Sequence, residues 1–128
     1  MTVIYEAIPV EGVTALNSQL SGVKWSDGTL FLDFTITDKP MIARATIKDC
    51  DIFRVLSESY VPESETEEQT GLSEEHLVYS VEGSFFYKHH VPTIFGVSST
   101  HYRFVTGPRL IDVLARTPPV MRTLGVSK

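Results

Sequence analysis

The sequence has a single cysteine and no long apolar run. Cys50 has no second cysteine to pair with, so an internal disulfide is excluded and nothing favours an oxidising compartment. No apolar stretch approaches the ~20 residues that a membrane-spanning helix needs. The first residues lack the basic segment and the apolar segment of a secretory signal. We therefore expect a cytoplasmic protein that makes no membrane contact.

The sequence also lacks the short motifs that identify a catalytic or nucleotide-binding site. There is no glycine-rich phosphate loop, and Ser84, which follows a glycine, lacks the second glycine of a nucleophile elbow. Ser84 is instead a good cap for a following helix. Cys50 lies between Asp49 and Asp51, whose charges disfavour the thiolate that a nucleophile requires. The sequence therefore predicts no catalytic residue and no cofactor.

The histidines are the remaining candidates for a metal site. A bound metal needs three or more converging ligands, and the available set is His89, His90, Glu82, His101 and Asp112. Adjacent His89 and His90 on a helix would point about 100° apart. No His-x₃-His or His-Glu-x-x-His spacing places two histidines on one helix face. The spacing therefore predicts no metal site.

Basic residues are absent from the middle of the chain. Residues 55–87 contain eight acids and no Lys or Arg, whereas residues 88–128 contain six bases and one acid, Asp112. The net charge of −5 therefore hides an acidic centre and a basic end. Nucleic acid is not expected as a partner, because phosphate binding needs a dense basic surface. The acidic block favours a basic protein partner.

The length and the hydrophobic pattern predict one β-rich domain over residues 1–128. A chain of 128 residues can bury a core without disulfides. Segments of alternating polarity, separated by turn residues, predict an antiparallel meander whose first turn is Asp27-Gly28. These segments cover residues 23–25, 29–36, 41–48 and 52–57, and a further strand is predicted at 77–82. The predicted fold is α+β: a curved antiparallel sheet or a sandwich of about six to seven strands, with one or two short helices.

The clearest predicted element is a hairpin of residues 101–106 and 109–115. A two-residue loop at Gly107-Pro108 fixes the register, and Arg103 then lies opposite Asp112 as an opposite-charge pair. The residues predicted to face the core from this hairpin are Tyr102, Phe104, Ile111 and Val113.

The segments outside the sheet are predicted to be helices and one acidic loop. Ser84 as a cap and Pro92 as a stop predict a short helix at 85–91. A second helix is predicted at 14–20. The region at about 62–75 has almost no apolar residue to bury, so we expect a mobile acidic loop there.

Two functional hypotheses follow from these patterns. The first is a non-enzymatic interaction protein, inhibitor-like or toxin-immunity-like, that binds a basic protein partner through Glu63, Glu65, Glu67, Glu68, Glu74 and Glu75. The alternative is a small-molecule-binding domain or an enzyme with a pocket between the 85–91 helix and the sheet. Its pocket residues would be Tyr87, His89, His90, His101 and Asp112. A third reading is a homo-oligomer in which edge strands of identical chains pair.

Overall fold

Strands make up most of the chain. The computed structural model describes residues 2–57, 68–90 and 99–125. Within them the chain is mostly β, with one short helix and two sheets. The strands are β1 (Val3–Ile8), β2 (Ser18–Ser26), β3 (Thr29–Ile36), β4 (Met41–Ile47), β5 (Cys50–Ser57), β6 (Gln69–Thr70), β7 (Val78–Glu82), β8 (Thr100–Thr106), β9 (Arg109–Ala115) and β10 (Val120–Gly125), and the helix is α1 (Phe85–His90).

The strands form a six-stranded sheet and a four-stranded sheet. The larger has the order β5-β9-β8-β7-β1-β6, and the smaller has the order β10-β4-β3-β2. Neighbouring strands are antiparallel, except that β6 runs parallel to β1. Several neighbours lie far apart in sequence, as β5 and β9 do.

One hydrophobic core joins the two sheets. Strand β3 buries alternate residues, so Leu30, Leu32 and Phe34 enter a cluster that also contains Phe104 and Ile111 of the larger sheet. The rings of Phe34 and Phe104 stack with their centroids 5.7 Å apart. The two sheets are therefore held together by side chains that alternate along β3, β8 and β9.

The predicted hairpin is confirmed in its register. Arg103 lies opposite Asp112, and Thr106 lies opposite Arg109. Gly107 has a φ of +52°, which allows a tight turn with Pro108 in the second central position. Asp112, however, is completely buried, so this face of the hairpin is covered rather than open to solvent.

The four-segment meander was wrong in its last strand. Strands β2, β3 and β4 are consecutive neighbours in the smaller sheet, but β5 pairs with β9 in the larger sheet. The chain changes sheet at Asp49, which has a φ of +53°. Local alternation cannot reveal this change, because β5 would present an alternating face in either sheet.

The predicted helix at 14–20 was also wrong. The Thr14 amide donates to the Asn17 side chain at 2.8 Å, and the Asn17 amide donates to the Thr14 hydroxyl at 3.1 Å. These local hydrogen bonds hold a loop and compete with helix formation. Strand β2 begins directly afterwards, at Ser18.

The strand count exceeds the prediction because three strands went unrecognised. The described residues contain ten strands, and β1, β6 and β10 were not predicted. Strand β6 has only two residues, and β10 follows two prolines. The helix at 85–91 is confirmed over Phe85–His90, and the Ser84 hydroxyl accepts from the Tyr87 amide at its start.

The described part of the predicted acidic loop is attached to the larger sheet. The Glu68 carbonyl accepts from the Val3 amide at 2.8 Å, and Gln69 and Thr70 pair with β1. The Ser73 amide donates to the Tyr79 hydroxyl. Residues 68–75 are exposed but hydrogen-bonded at these points. Residues 62–67 lie outside the described residues, and the mobility of the loop stays a prediction.

Replacing Gly71 by alanine should weaken the pairing of β6 with β1. Gly71 has a φ of +95°, and a Cβ atom there would overlap the Tyr5 carbonyl oxygen. We expect the Val3 amide to exchange its hydrogen faster, measured by native-state exchange. Gly28→Ala is the matched control, because Gly28 also has a positive φ but has open space around it. The free energy of unfolding of Gly28→Ala should fall only by the ~1–2 kcal/mol that a side chain costs in this backbone conformation. The protection of the Val3 amide against hydrogen exchange should not change. Unchanged Val3 protection in Gly71→Ala would contradict this pairing.

Candidate functional site

The Asp112 carboxylate is buried and accepts hydrogen bonds from three side chains. Its Oδ1 accepts from His101 Nε2 at 2.7 Å and from Arg103 Nε at 2.6 Å. Its Oδ2 accepts from Arg54 Nε at 2.9 Å and from Arg103 Nη2 at 3.1 Å. Each oxygen therefore has two donors, as a buried ion requires.

The strand register brings these groups to one face of the larger sheet. Arg54 on β5 and Arg103 on β8 both lie directly opposite Asp112 on the central strand β9. His101 precedes Arg103 by two residues and so shares its face. Arg103 also donates to the Tyr5 hydroxyl on β1. The cluster therefore contains side chains from four strands.

The cluster keeps Asp112 charged and His101 neutral. Burial alone would raise the pKa of Asp112, but the hydrogen bond from His101 and the charge of Arg103 hold that pKa well below its usual range. Burial lowers the pKa of His101, and the charges of Arg103 and Arg54 lower it further, against the opposing effect of Asp112. At neutral pH the imidazole is therefore uncharged.

The hydrogen bonds of His101 determine which ring nitrogen carries the proton. A carboxylate only accepts, so His101 Nε2 must donate to Asp112. His101 Nδ1 then has a free lone pair, which faces the Ser84 hydroxyl at 2.7 Å. The Ser84 hydroxyl therefore donates to Nδ1 while its oxygen accepts from the Tyr87 amide at 3.1 Å. Ser84, His101 and Asp112 form one continuous line of hydrogen bonds.

Helix α1 covers this line with an aromatic side chain. Phe86 is buried, and its ring lies 4.3 Å from the guanidinium carbon of Arg54. The centroids of the Phe86 and His101 rings are 5.0 Å apart. The apolar cover keeps water from the imidazole and strengthens the electrostatic interactions beneath it.

A cavity of about 410 Å³ adjoins the cluster where β7 ends and α1 begins. Its wall has residues from both faces of the larger sheet, because the side chains of Ser80 and His101 project from opposite faces. Its described wall contains two carboxylates, four hydroxyl groups (one of them that of Tyr87) and the His101 imidazole, with no Lys or Arg. The lining residues are Ile4, Glu6, Ser80, Val81, Glu82, Gly83, Tyr87, Ser99, Thr100 and His101.

The two carboxylates of the wall come from neighbouring strands. Ile4 lies opposite Glu82, and Glu6 lies opposite Ser80, so Glu6 and Glu82 project from one face of the sheet. Both are exposed. Glu68 lies nearby, because its carbonyl accepts from Val3, the residue before Ile4 of the wall.

The acidic residues predicted to bind a partner are only partly described. Glu68 lies beside the start of β1, and the exposed residues Glu74 and Glu75 precede β7. Glu63, Glu65 and Glu67 lie outside the described residues.

The residues predicted for the alternative pocket are placed in three different positions. Tyr87 and His101 line the cavity, and Asp112 lies behind His101. His89 and His90 are not among the described residues of the wall. The His89 ring stacks on Phe85 with centroids 5.6 Å apart, and His90 Nδ1 lies 2.9 Å from the Phe86 carbonyl oxygen of its own helix.

Four important residues were missed by the sequence analysis. Arg54 was missed because β5 was assigned to the wrong sheet, and Glu6 because β1 was not recognised. Glu82 was considered only as a metal ligand. Ser84 was considered as a nucleophile, rejected because no second glycine follows it, and assigned as a helix cap. The signal that was not used is His101 on the adjacent strand, whose ring lies beside the Ser84 hydroxyl.

The described part of the chain offers no reactive thiol and no cluster of metal ligands. Burial, with a further contribution from Asp51, raises the pKa of the Cys50 thiol to about 11, so it stays protonated at neutral pH. Among residues 2–57, 68–90 and 99–125, no three His, Cys, Asp or Glu side chains converge as a metal site would require.

Removing the charge of Asp112 should destabilise the fold strongly. Asp112→Asn leaves two partly buried guanidinium groups without their anion and removes a fully buried charge, which should cost about 3–5 kcal/mol. Asp33→Asn is the matched control, because Asp33 pairs with Arg44 at the same Nε–Oδ1 type of contact on a partly exposed face. The free energy of unfolding of Asp33→Asn, measured in urea, should stay close to that of wild type, since exposed ion pairs contribute little to stability. Equal losses in the two variants would refute the central role of Asp112.

The protonation state of His101 can be measured directly. Long-range ¹H–¹⁵N spectra at pH 7 should show the proton on Nε2. The unfolded chain binds this proton below about pH 6.5, whereas the folded chain binds it only at lower pH because the pKa of His101 is lowered. The free energy of unfolding should therefore fall as the pH drops below 6.5, by up to ~1.4 kcal/mol per pH unit. An imidazolium signal at pH 6.5 in the folded protein would contradict this assignment.

Comparison with known proteins does not extend this description. No protein-family model, no curated protein and no solved structure matches the chain. None of the helices in the described residues has the length and apolar character needed to cross a membrane.

Proposed function

We propose that this chain binds a basic protein partner, which inserts a Lys or Arg side chain into the cavity at the end of β7. The observation that carries the proposal is the chemistry of the wall. Glu6 and Glu82 supply two carboxylates on one face, and the described lining residues include no Lys or Arg. A cationic side chain is the natural counterpart of such a wall.

The remaining lining residues suit the same kind of ligand. Hydroxyl groups of Ser80, Ser99 and Thr100 can accept further hydrogen bonds from a guanidinium or ammonium group. The Tyr87 ring offers an aromatic surface, which favours cations over neutral groups. A volume of about 410 Å³ falls within the usual range of ligand pockets and leaves room for a long side chain.

The surroundings of the cavity add attraction at longer range. Glu68 is held beside the start of β1, and the sequence before it carries Glu63, Glu65 and Glu67. A block of like charges raises the rate at which an oppositely charged partner arrives, and added salt weakens this effect. We infer that the acidic segment brings the partner in and that the cavity holds one of its side chains. An inhibitor or a toxin-immunity protein would use such a surface.

The proposal is tested with peptides that differ only in charge. A fluorescein-labelled peptide of alternating glycine and arginine should bind, measured by anisotropy at low salt, and its citrulline counterpart should not. Glu6→Gln combined with Glu82→Gln should weaken binding tenfold or more, because both carboxylates of the wall lose their charge.

The control removes the same amount of charge elsewhere. Glu11→Gln combined with Asp27→Asn changes two exposed acids outside the cavity wall. This variant should bind the arginine peptide within about twofold of wild type, since distant exposed charges are screened. Equal weakening by both double variants would show general charge attraction, and the cavity would have no role. Binding of the citrulline peptide would refute the proposal.

A further inference from the structure

Three hydrogen-bonded side chains beside the cavity have the positions of a nucleophile (Ser84), a base (His101) and an orienting carboxylate (Asp112). The Ser84 hydroxyl lies 2.7 Å from His101 Nδ1, and His101 Nε2 lies 2.7 Å from Asp112 Oδ1. This is the arrangement that activates a serine in acyl-transfer enzymes, recognised by geometry and not by sequence order. The two ring nitrogens have exchanged the roles that they have in serine proteases, and either nitrogen can act as the base.

The protonation states are those that the chemistry needs. His101 is neutral because burial lowers its pKa, so the lone pair of Nδ1 is available at neutral pH. Asp112 holds the proton on Nε2 and thereby turns the lone pair towards Ser84. The Tyr87 amide donates to the same hydroxyl oxygen at 3.1 Å, which fixes the position of this oxygen and leaves it one lone pair for attack on a carbonyl carbon.

A capping role alone does not account for this arrangement. A helix cap requires only that the Ser84 oxygen accepts from an amide of the first turn, and the Tyr87 amide satisfies that requirement. The additional hydrogen bond to a buried imidazole, itself held by a buried carboxylate, costs desolvation and is not needed to start a helix. The guanidinium groups of Arg54 and Arg103 offset the charge of Asp112, so this carboxylate acts mainly by orienting the ring.

The cavity provides an approach for a small substrate. Gly83, Tyr87 and His101 are all part of its wall, and Ser84 follows Gly83 directly and is hydrogen-bonded to His101. Only 5% of Ser84 is exposed, so a bulky acyl group would not reach its oxygen. The carboxylates of Glu6 and Glu82 would repel an anionic substrate from the same cavity.

We propose that Ser84 is an activated nucleophile and that the chain hydrolyses small neutral or cationic carboxylic esters. The Ser84 oxygen bonds to the carbonyl carbon while its proton passes to His101 Nδ1. The ester C–O bond breaks, and the departing alcohol takes that proton. Water then attacks the acyl-serine, giving one proton to Nδ1, and the carboxylic acid leaves as Ser84 regains its proton. The net reaction is ester plus water to acid plus alcohol.

The first test is covalent labelling of the full chain by a small dialkyl fluorophosphonate. Ser84 should form the phosphorus–oxygen bond, with fluoride as the leaving group, and peptide mass spectrometry should find the label on Ser84. Ser84→Ala and Ser84→Asn should lose the label, and the asparagine variant keeps a side chain that can cap the helix. Ser21→Ala is the matched control, because Ser21 is an exposed serine outside the cavity wall; labelling of this variant should stay within twofold of wild type.

The second test is the pH dependence of wild-type labelling. A serine activated by His101 should reach a plateau near pH 7 and lose rate only below about pH 6.5, because the pKa of His101 is lowered. An unactivated hydroxyl would instead react about tenfold faster with each added pH unit, following hydroxide. Hydrolysis of p-nitrophenyl acetate should show the same plateau and the same loss in Ser84→Ala.

The outcomes separate this proposal from partner binding. The assignment of Ser84 as a nucleophile would be refuted by an unlabelled wild-type chain, by a label on another residue or by a labelling rate without a plateau in pH. None of these results depends on a basic partner, and the neutral probe does not need the charges of Glu6 and Glu82. Conversely, loss of arginine-peptide binding in the glutamate variants would leave the labelling of Ser84 unchanged.

Discussion

The buried charge of Asp112 is the constraint on which the larger sheet depends. Transferring a carboxylate out of water costs several kcal/mol unless its oxygens are fully paired. Arg54, Arg103 and His101 supply the pairing from the two strands that flank β9. A slip of either flanking strand by one residue would turn its donors to the opposite face. The ion therefore specifies the register of β5, β9 and β8 together, which apolar side chains alone would specify less strictly.

The same ion determines the geometry at the start of α1. Asp112 orients the His101 ring, and the ring positions the Ser84 hydroxyl that caps the helix. Phe86, in the first turn of the helix, then covers both Arg54 and His101. The position of a six-residue helix is thus coupled to a charge in the middle of the sheet. This coupling explains how so short a helix, which would be unstable by itself, holds a defined position.

Local signals in the sequence predicted the local parts of this arrangement. Gly107-Pro108 and the pair of Arg103 with Asp112 were sufficient for the register of the hairpin, because a two-residue loop permits only one. The burial of Asp112 could not be predicted, since it depends on Arg54 arriving from a strand that leaves the meander. The cavity was equally inaccessible, because Glu6 and Glu82 meet only when β1 pairs with β7. Long-range strand pairing, and not side-chain chemistry, was the missing information.

The charged residues of the candidate site form two groups, one around the buried carboxylate of Asp112 and one exposed in the cavity wall. The guanidinium groups of Arg54 and Arg103 more than offset the carboxylate of Asp112, which is completely buried, while the two arginines are mostly covered. Glu6 and Glu82, by contrast, are exposed in the cavity wall. A molecule entering the cavity therefore meets the field of the two glutamates first, because interactions with exposed groups at short range exceed those with a buried and compensated cluster. In the two proposals, charge selection and reactivity therefore belong to different residues, and substitutions can separate them.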